Sequence, residues 1–411
     1  MADVPSGLAE LRRHWKILLT CFVGVMLGVA SVPFYILGPL AKFFEASLGW
    51  SSKQVLTTVP FWAAGLTLGI PIAGKLCDRF RARPLALVKV SLLGGLLITV
   101  PLAATHGIWT FRVVYFLIGL LTAGTIGVIY TRVINGTFDQ ARGLALGITL
   151  SGTGITSTLA PLFVHAVAPR YGLAGVYYGA AAVILIVSLP ILYAGLAHAT
   201  SPHRIAPGAI PRPIGGSTLR EALRAPSFYL MLLPFMLLGS IIGPLQFDLV
   251  PALLDRDTDG ATAAGIASLL GVSLIIGRLT CGWMLDRLPA GAVGAVVFGG
   301  GACGCYLFSM PGSSGPLLAV ITIGLLNGAE QDIFSFMVAR TFGLRHYGQI
   351  YGCGYAGFTL AAIAGPFVGA SLLQAGSHQL LYSTGAVIFV VATACMVALW
   401  HFNPTASPRY A

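Results

Sequence analysis

GKLCDRFRAR, from Gly74 to Arg83, ends an apolar run with a glycine, a carboxylate and three arginines. The same order returns 208 residues later, where Gly282-Trp283-Met284-Leu285-Asp286-Arg287 repeats the glycine and the Asp-Arg pair in register. Arg132 and Arg340 keep that offset. Gly119-Leu120-Leu121 pairs with Gly324-Leu325-Leu326, and Gly143 and Gly147 pair with Gly348 and Gly352, all at an offset of 205. Anchors this far apart that hold nearly one offset mark an internal repeat, a chain made of two copies of one unit.

Outward from these anchors the chain is apolar almost throughout. Of its 411 residues 56% are hydrophobic and 9% charged, against roughly 25% charged in a soluble domain, and mean hydropathy is +0.86. The bilayer is the solvent such a composition requires, and 52 glycines suit close helix contact within it. About 20 mainly apolar residues cross the hydrocarbon. Twelve segments qualify, at 16–46, 52–77, 84–104, 108–134, 142–167, 173–196, 227–252, 261–286, 290–309, 316–340, 348–374 and 379–401. The expected fold is an all-α membrane protein of twelve spans in two pseudo-symmetric halves, 1–196 and 227–411. A linker, 197–226, separates them with five prolines and four arginines. It ends in STLREALRAPSFY (Ser217 to Tyr229), which reads as a short helix with Ser217 as N-cap and Glu221 in its first turn.

An even number of spans puts both termini on one side, and basic residues choose which. Of 24 Lys+Arg, Lys42, Lys53, Arg112, Arg170 and Arg256 flank one side and Arg278 lies within a span; the remaining eighteen flank the side of the termini. Both termini are therefore expected in the cytoplasm, with the protein a multi-pass component of the inner or plasma membrane. The first apolar stretch is too long for a signal-peptide core and is expected to stay as a span.

GKLCDRFRAR resembles the loop signature of the major facilitator superfamily, G-x-x-x-D-R-x-x-R-R, with Gly74, Asp78, Arg79 and Arg83 matching and Ala82 departing. The resemblance covers the whole chain and implies two six-helix halves moving a substrate by alternating access. Gly74, Asp78, Arg79, Arg83 and their copies Gly282, Asp286 and Arg287 would then form a charge latch that breaks as the halves rock. Within the superfamily, three features are similar to the monocarboxylate porter and oxalate/formate exchanger branch: FFEASLGWSS after span 1, IIGRLTCGWMLDR ending span 8, and FGLRHYGQIYG between spans 10 and 11. The resemblance implies that Arg278 binds a substrate carboxylate. The acidic residue some relatives carry one turn earlier is Leu274, and span 11 has no lysine for a second carboxylate. One carboxylate is favoured over two.

The residues support this independently. An ionisable group near the bilayer centre costs several kcal/mol unless it faces water or a partner, which makes each one a functional candidate. Arg278 precedes Asp286 by eight residues, about 12 Å of helical rise from the inner end, and no other basic residue lies so deep. Its guanidinium cannot shed its charge and offers a planar fork that matches a carboxylate. Glu330 and Asp332, in NGAEQDIF of span 10, lie about 15 and 12 Å from Arg340 and so at similar depth. Two residues apart on a helix, they point about 200° from each other. A carboxyl caught between burial and an arginine can load and release a proton, which makes both candidates for proton coupling; the alternative is a static ion pair with Arg278. Tyr35, Tyr130 and Tyr355 are candidate substrate contacts. Asp248 and Gln246 fall near the outer end of span 7. Thr149, Ser151, Thr153 and Ser157 line span 5 among glycines.

Other chemistry finds no support. Gly352-Cys353-Gly354-Tyr355-Ala356-Gly357 spells a dinucleotide fingerprint but opens an apolar span with no strand before it. Asn135-Gly136-Thr137 is a sequon on the inner side. Seven cysteines form no C-x-x-C pair, and eight histidines form no i, i+4 pair. No nucleophile elbow or Walker loop occurs. The chain is expected to be no enzyme, to use no cofactor or metal, and to bind no nucleic acid. Its partners are expected to be a small organic anion, protons and the lipid bilayer. The function expected is secondary active transport of a monocarboxylate, coupled to protons as a symporter. The alternatives are a drug or metabolite efflux carrier of the same superfamily and a non-transporting sensor with a carrier fold.

Overall fold

In hydrocarbon each backbone N–H must be satisfied within its own segment, which leaves helices as the economical solution for an apolar chain. The computed structural model describes residues 7–80, 84–102, 105, 107–199, 215–310, 315–375 and 377–402. Among them all regular structure is helical, apart from one isolated bridge between Gly216 and Gly343. In chain order the helices are α1 (Gly7–Arg13), α2 (Trp15–Met26), α3 (Ser31–Leu48), α4 (Ser52–Leu56), α5 (Val59–Arg79), α6 (Pro84–Leu102), α7 (Ile108–Thr122), α8 (Val128–Thr137) and α9 (Arg142–Leu150). Then come α10 (Gly152–Val183), α11 (Leu189–Ala199), α12 (Leu219–Ala222), α13 (Pro226–Leu254), α14 (Gly260–Leu285), α15 (Ala290–Ser309), α16 (Gly315–Phe342), α17 (Tyr347–Ala375) and α18 (His378–Phe402).

Among the described residues, ten stretches are long and apolar enough to cross a membrane. One of them, Arg142–Gly195, contains Gly172 at φ 66, a left-handed turn that glycine adopts without strain, and so holds two spans. The 19-residue α6 holds a shorter apolar stretch, Ala86–Leu96, so that each of the twelve expected segments falls on helix among the described residues. Their outward faces are apolar: Ile186, Phe247, Phe367 and Val387 are each more than 60% exposed, a pattern that lipid satisfies and water does not.

Span 1 departs from one continuous helix. It breaks between α2 and α3 at Leu27–Ala30, and span 4 breaks between α7 and α8 in a short 3-10 turn at Ala123–Thr125. Side chains from neighbouring spans satisfy the backbone at the first break. Ala30 N–H donates to Thr125 Oγ1 at 3.4 Å, and Trp62 Nε1 donates to the Ala30 carbonyl at 3.1 Å. The linker helix also starts one residue later than expected. Thr218, not Ser217, is the N-cap: its hydroxyl accepts from Glu221 N–H while Glu221 Oε2 accepts from Thr218 N–H at 2.8 Å. A capping box needs its acid three residues after the cap, and Ser217 stands four before Glu221.

Contacts gather the chain into two compact units. One comprises 1–141, 148–217 and 343–356; the other comprises 142–147, 218–342 and 357–411. In the first, α5 packs along α7 through facing glycines. A Cβ on Gly65 would run into the Phe116 carbonyl, and one on Gly119 into that of Trp62. In the second, α14 lies against α16 and α15 against α18, with Gly277 against Leu325 and Gly328 against Leu274. Backbones this close gain dispersion contact that larger residues would forfeit.

Gly65→Val and Gly119→Val are expected to destabilise the protein by about 1–3 kcal/mol through overpacking, read as a lower melting temperature in detergent. Gly94→Ala, where nothing lies within 4 Å of an added Cβ, should melt no lower than wild type.

Candidate functional site

Gly277 and Gly328 bring α14 and α16 so close that charged side chains on the two helices must meet. Arg278, 4% exposed, directs Nη1 at Oδ1 of Asp332, 0% exposed, at 3.3 Å. A buried ion pair needs its remaining donors and acceptors satisfied to offset desolvation, and this one leaves several open. Arg278 Nε and Asp332 Oδ2 are buried without a hydrogen-bond partner. One residue beyond Gln331, on the far side of the helix, Glu330 is 7% exposed. Its Oε2 is also unpartnered. It lines a small pocket of about 10 Å³, little more than room for one water, together with Met231, Phe235, Phe298, Phe334, Met337 and Met396. The two acids diverge as their spacing requires: Asp332 bonds the guanidinium, while Glu330 packs against sulfur and aromatic carbon and still feels the Arg278 charge. Gly147 lies against the Arg278 carbonyl, so the inner end of span 5 passes directly over this site.

The two copies of the repeated loop motif each bind a helix N-terminus. In the first unit Asp78 accepts from Gly348 N–H at 3.0 Å and Gln349 N–H at 2.8 Å, at the start of α17, and pairs with Arg132. Arg132 also donates to the Leu344 carbonyl at 3.2 Å. In the second unit Asp286 accepts from Gly143 N–H at 2.6 Å and Leu144 N–H at 2.9 Å, at the start of α9. Each carboxylate sits where free N–H groups and the positive end of the helix dipole converge. The glycines make room: Cβ atoms on Gly74 and Gly282 would strike the carbonyls of Gly348 and Gly143. The charges of Arg287 and Arg340 act on Asp286 in the second clasp. Arg79 lies 6.0 Å over the Phe80 ring, and Arg287 bonds the Trp283 carbonyl and stacks on Trp283 at 4.3 Å. Arg83 lies outside the described residues. Arg132 is the basic partner that the loop motif itself did not indicate, although its copy at Arg340 marked the position.

The three tyrosines are placed differently. Tyr35 is half-buried in α3, edge-on to Phe34 at 5.2 Å. Tyr355 is half-buried in α17 and stacks on Tyr351, which stacks on Tyr347, at ring separations of 5.9 and 5.6 Å. The last ring of this ladder donates its hydroxyl to Thr131 at 3.0 Å. Tyr130 is fully buried, its ring against Gly24 and its hydroxyl unpartnered. In span 5, Ser151, Thr153 and Ser157 bond backbone carbonyls three residues back, and Thr149 is buried with its hydroxyl unpartnered.

Two arrangements lay beyond the reach of spacing rules. The break in span 4 carries no proline signal, unlike that in span 1, where Pro33 removes the helical donor for the Val29 carbonyl. Asp248 binds His378, 130 residues away in sequence, through Nδ1 at 2.8 Å.

Comparison with known proteins agrees with this architecture. The family model of the Major Facilitator Superfamily matches residues 23–352. Monocarboxylate transporter 13 of Bos taurus is 24% identical over 96% of this chain and 92% of its own. Multidrug resistance protein MdtL of Salmonella paratyphi B is 28% identical over 48% of each chain. The crystal structure of the human organic anion transporter MFSD10 (TETRAN) superposes with a TM-score of 0.69 at 14% identity, covering 93% of this chain and 99% of that one. With twelve helical segments, a repeated Gly-Asp-Arg loop and a family match over most of its length, the chain belongs to the Major Facilitator Superfamily of membrane transporters and resembles its monocarboxylate porter branch.

Proposed function

We propose that the protein is a secondary active carrier of a small organic monocarboxylate, coupled to protons and working by alternating access in the inner or plasma membrane with both termini in the cytoplasm. The observation that carries this reading is Arg278: a guanidinium 4% exposed, eight residues inside the end of its span, held by one carboxylate bond at 3.3 Å with Nε unpartnered. A substrate carboxylate supplies the two parallel acceptors that this fork lacks. The similarity to monocarboxylate transporter 13 along nearly the full length supports the same substrate class.

Coupling follows from the one ion pair. A carboxylate that enters beside Arg278 competes with Asp332, and an acid that gives up its cation inside the bundle is neutralised by a proton rather than left charged. Asp332 takes this role directly, with Glu330 as the second proton-carrying candidate on the same helix. Substrate and proton then load together and leave together. Tyr35 and Tyr355, both half-buried, are offered as contacts for the uncharged part of the substrate.

The carboxylate clasps act as the latch. Asp78 with Arg132, and Asp286, fasten the inner ends of spans 11 and 5; each bond to a charged acceptor is worth about 1.5–3 kcal/mol. Together they hold the inner side shut while the site is open outward. A second reading, efflux of a lipophilic compound, is favoured by the half-length similarity to MdtL.

Uptake of labelled mono- and dicarboxylates into proteoliposomes tests the two readings. Monocarboxylates should enter faster with an inward proton gradient, and Arg278→Ala should lower uptake about a hundredfold, equivalent to about 2.8 kcal/mol. Indifference to carboxylates, or normal uptake by the variant, would favour efflux. Asp332→Asn should keep substrate exchange between two loaded compartments while losing stimulation by the proton gradient. For the latch, Asp78→Asn should raise maleimide labelling of the adjacent buried Cys77 in a background without the other six cysteines. Unchanged labelling would remove the latch role.

A further inference from the structure

The proline-broken end of span 7 carries a cluster that the transport site does not use. Asp248 and Asp255 lie seven residues apart, close to two helical turns, and so share one face of α13 with about 10 Å between them along the axis. The imidazole of His378, first residue of α18, lies across that gap. Its Nδ1 is 2.8 Å from Asp248 and its Nε2 is 2.8 Å from Asp255. An ionised carboxylate only accepts hydrogen bonds, and a neutral imidazole donates from one nitrogen alone. Both contacts are satisfied together when the ring carries two protons.

The segment it holds is one that needs holding. Pro244 and Pro251 interrupt α13 on either side of Asp248, leaving the carbonyls four residues before each without a helical donor. Asp248 is 4% exposed on its side chain, and losing the imidazolium would leave this buried charge and Asp255 to compete for the one remaining N–H of a neutral ring. We propose that His378, Asp248 and Asp255 form a proton-binding site that pins the end of span 7 to the start of span 12 when protonated and releases it when the proton leaves. In the topology proposed above this end faces outward, and the site reads the external pH separately from the coupling acids.

The surroundings leave the imidazole as the group that titrates. Arg256, at the end of α13, is turned away onto the Phe308 ring at 4.5 Å and the Met310 carbonyl at 3.4 Å. Asp259 caps the Thr262 N–H at 3.0 Å, and Asp257 is exposed in the same turn. From α18, Tyr382 donates to the Leu245 carbonyl at 3.1 Å. From α15 the nearby titratable group is Cys305, against Gly385. Between Gly357 and Ala375, α17 brings no titratable side chain, and α14 brings none before Arg278.

Thermal melts of the purified protein in detergent, from about pH 6 to about pH 9, test this without any substrate, so the outcome stands apart from that of the carrier reading. A proton bound in the folded state stabilises in acid, and that contribution is lost as the pH rises through its release. Wild type should melt about 3 °C or more above His378→Gln at the acid end, with the gap closing at the alkaline end. Asp255→Asn, changed at a largely exposed position, offers Nε2 a donor, suits a neutral ring with its proton on Nδ1, and should lose the pH dependence while remaining folded. A gap that is the same at both ends, or an Asp255→Asn profile that follows wild type, would overturn the proposal.

Discussion

A guanidinium placed in the middle of a bilayer cannot discharge itself. Lysine can shed its proton and a carboxylate can take one up, but Arg278 stays cationic at any physiological pH, so its surroundings must answer its charge. The second unit is built around that demand. Gly277 and Gly328 let α14 and α16 approach until Asp332 reaches the guanidinium. Gly147 lets the start of span 5 lie on the same backbone. What they supply is one carboxylate bond, less than the fork can make, and the shortfall is what gives the pair a use. In the proposed carrier, a pair with Nε and Oδ2 left open would accept an added carboxylate and leave Asp332 to be neutralised.

The clasps solve a related problem with the opposite economy. A helix that starts inside a protein exposes N–H groups without internal partners, and a carboxylate from elsewhere satisfies them at two bonds per side chain. Asp78 does this for α17 and Asp286 for α9, the same device twice because the sequence repeats. These bonds need no flexible side chain on the receiving helix. Bonds of this kind would form and break as a unit if the helix end moved, which suits the proposed latch better than a surface ion pair worth about 0–1 kcal/mol.

Much of this was legible in the order of residues. Hydropathy marks spans because lipid tolerates little else, and the Gly-Asp-Arg repeat located both clasp carboxylates. Arg278 stood out because a lone charge at that depth has few innocent explanations, and the 200° divergence of Glu330 and Asp332 gave them different neighbours. The receiving side of each clasp was hidden: Gly348, Gln349, Gly143 and Leu144 bind through backbone N–H, which no side-chain pattern records. The expectation that Arg79 would join the latch followed from charge alone, while the paired cation is Arg132, 54 residues from Asp78. The break in span 1 is marked in sequence by Pro33 alone, and the residues that satisfy it, Thr125 and Trp62, are distant along the chain. His378 was passed over for the same reason. It opens a span and lacks a sequence neighbour, and only folding sets it between two acids.

The carrier reading rests on one contact, between Arg278 and an incoming carboxylate. Calorimetric titration of a monocarboxylate into purified wild-type protein, beside Arg278→Ala and Arg278→Lys, addresses it without the complications of turnover. The account predicts saturable binding by wild type, weak binding by the lysine variant, which keeps the charge and loses the fork, and none by alanine. Equal binding by all three would show that the arginine answers Asp332 alone and that the substrate is held elsewhere.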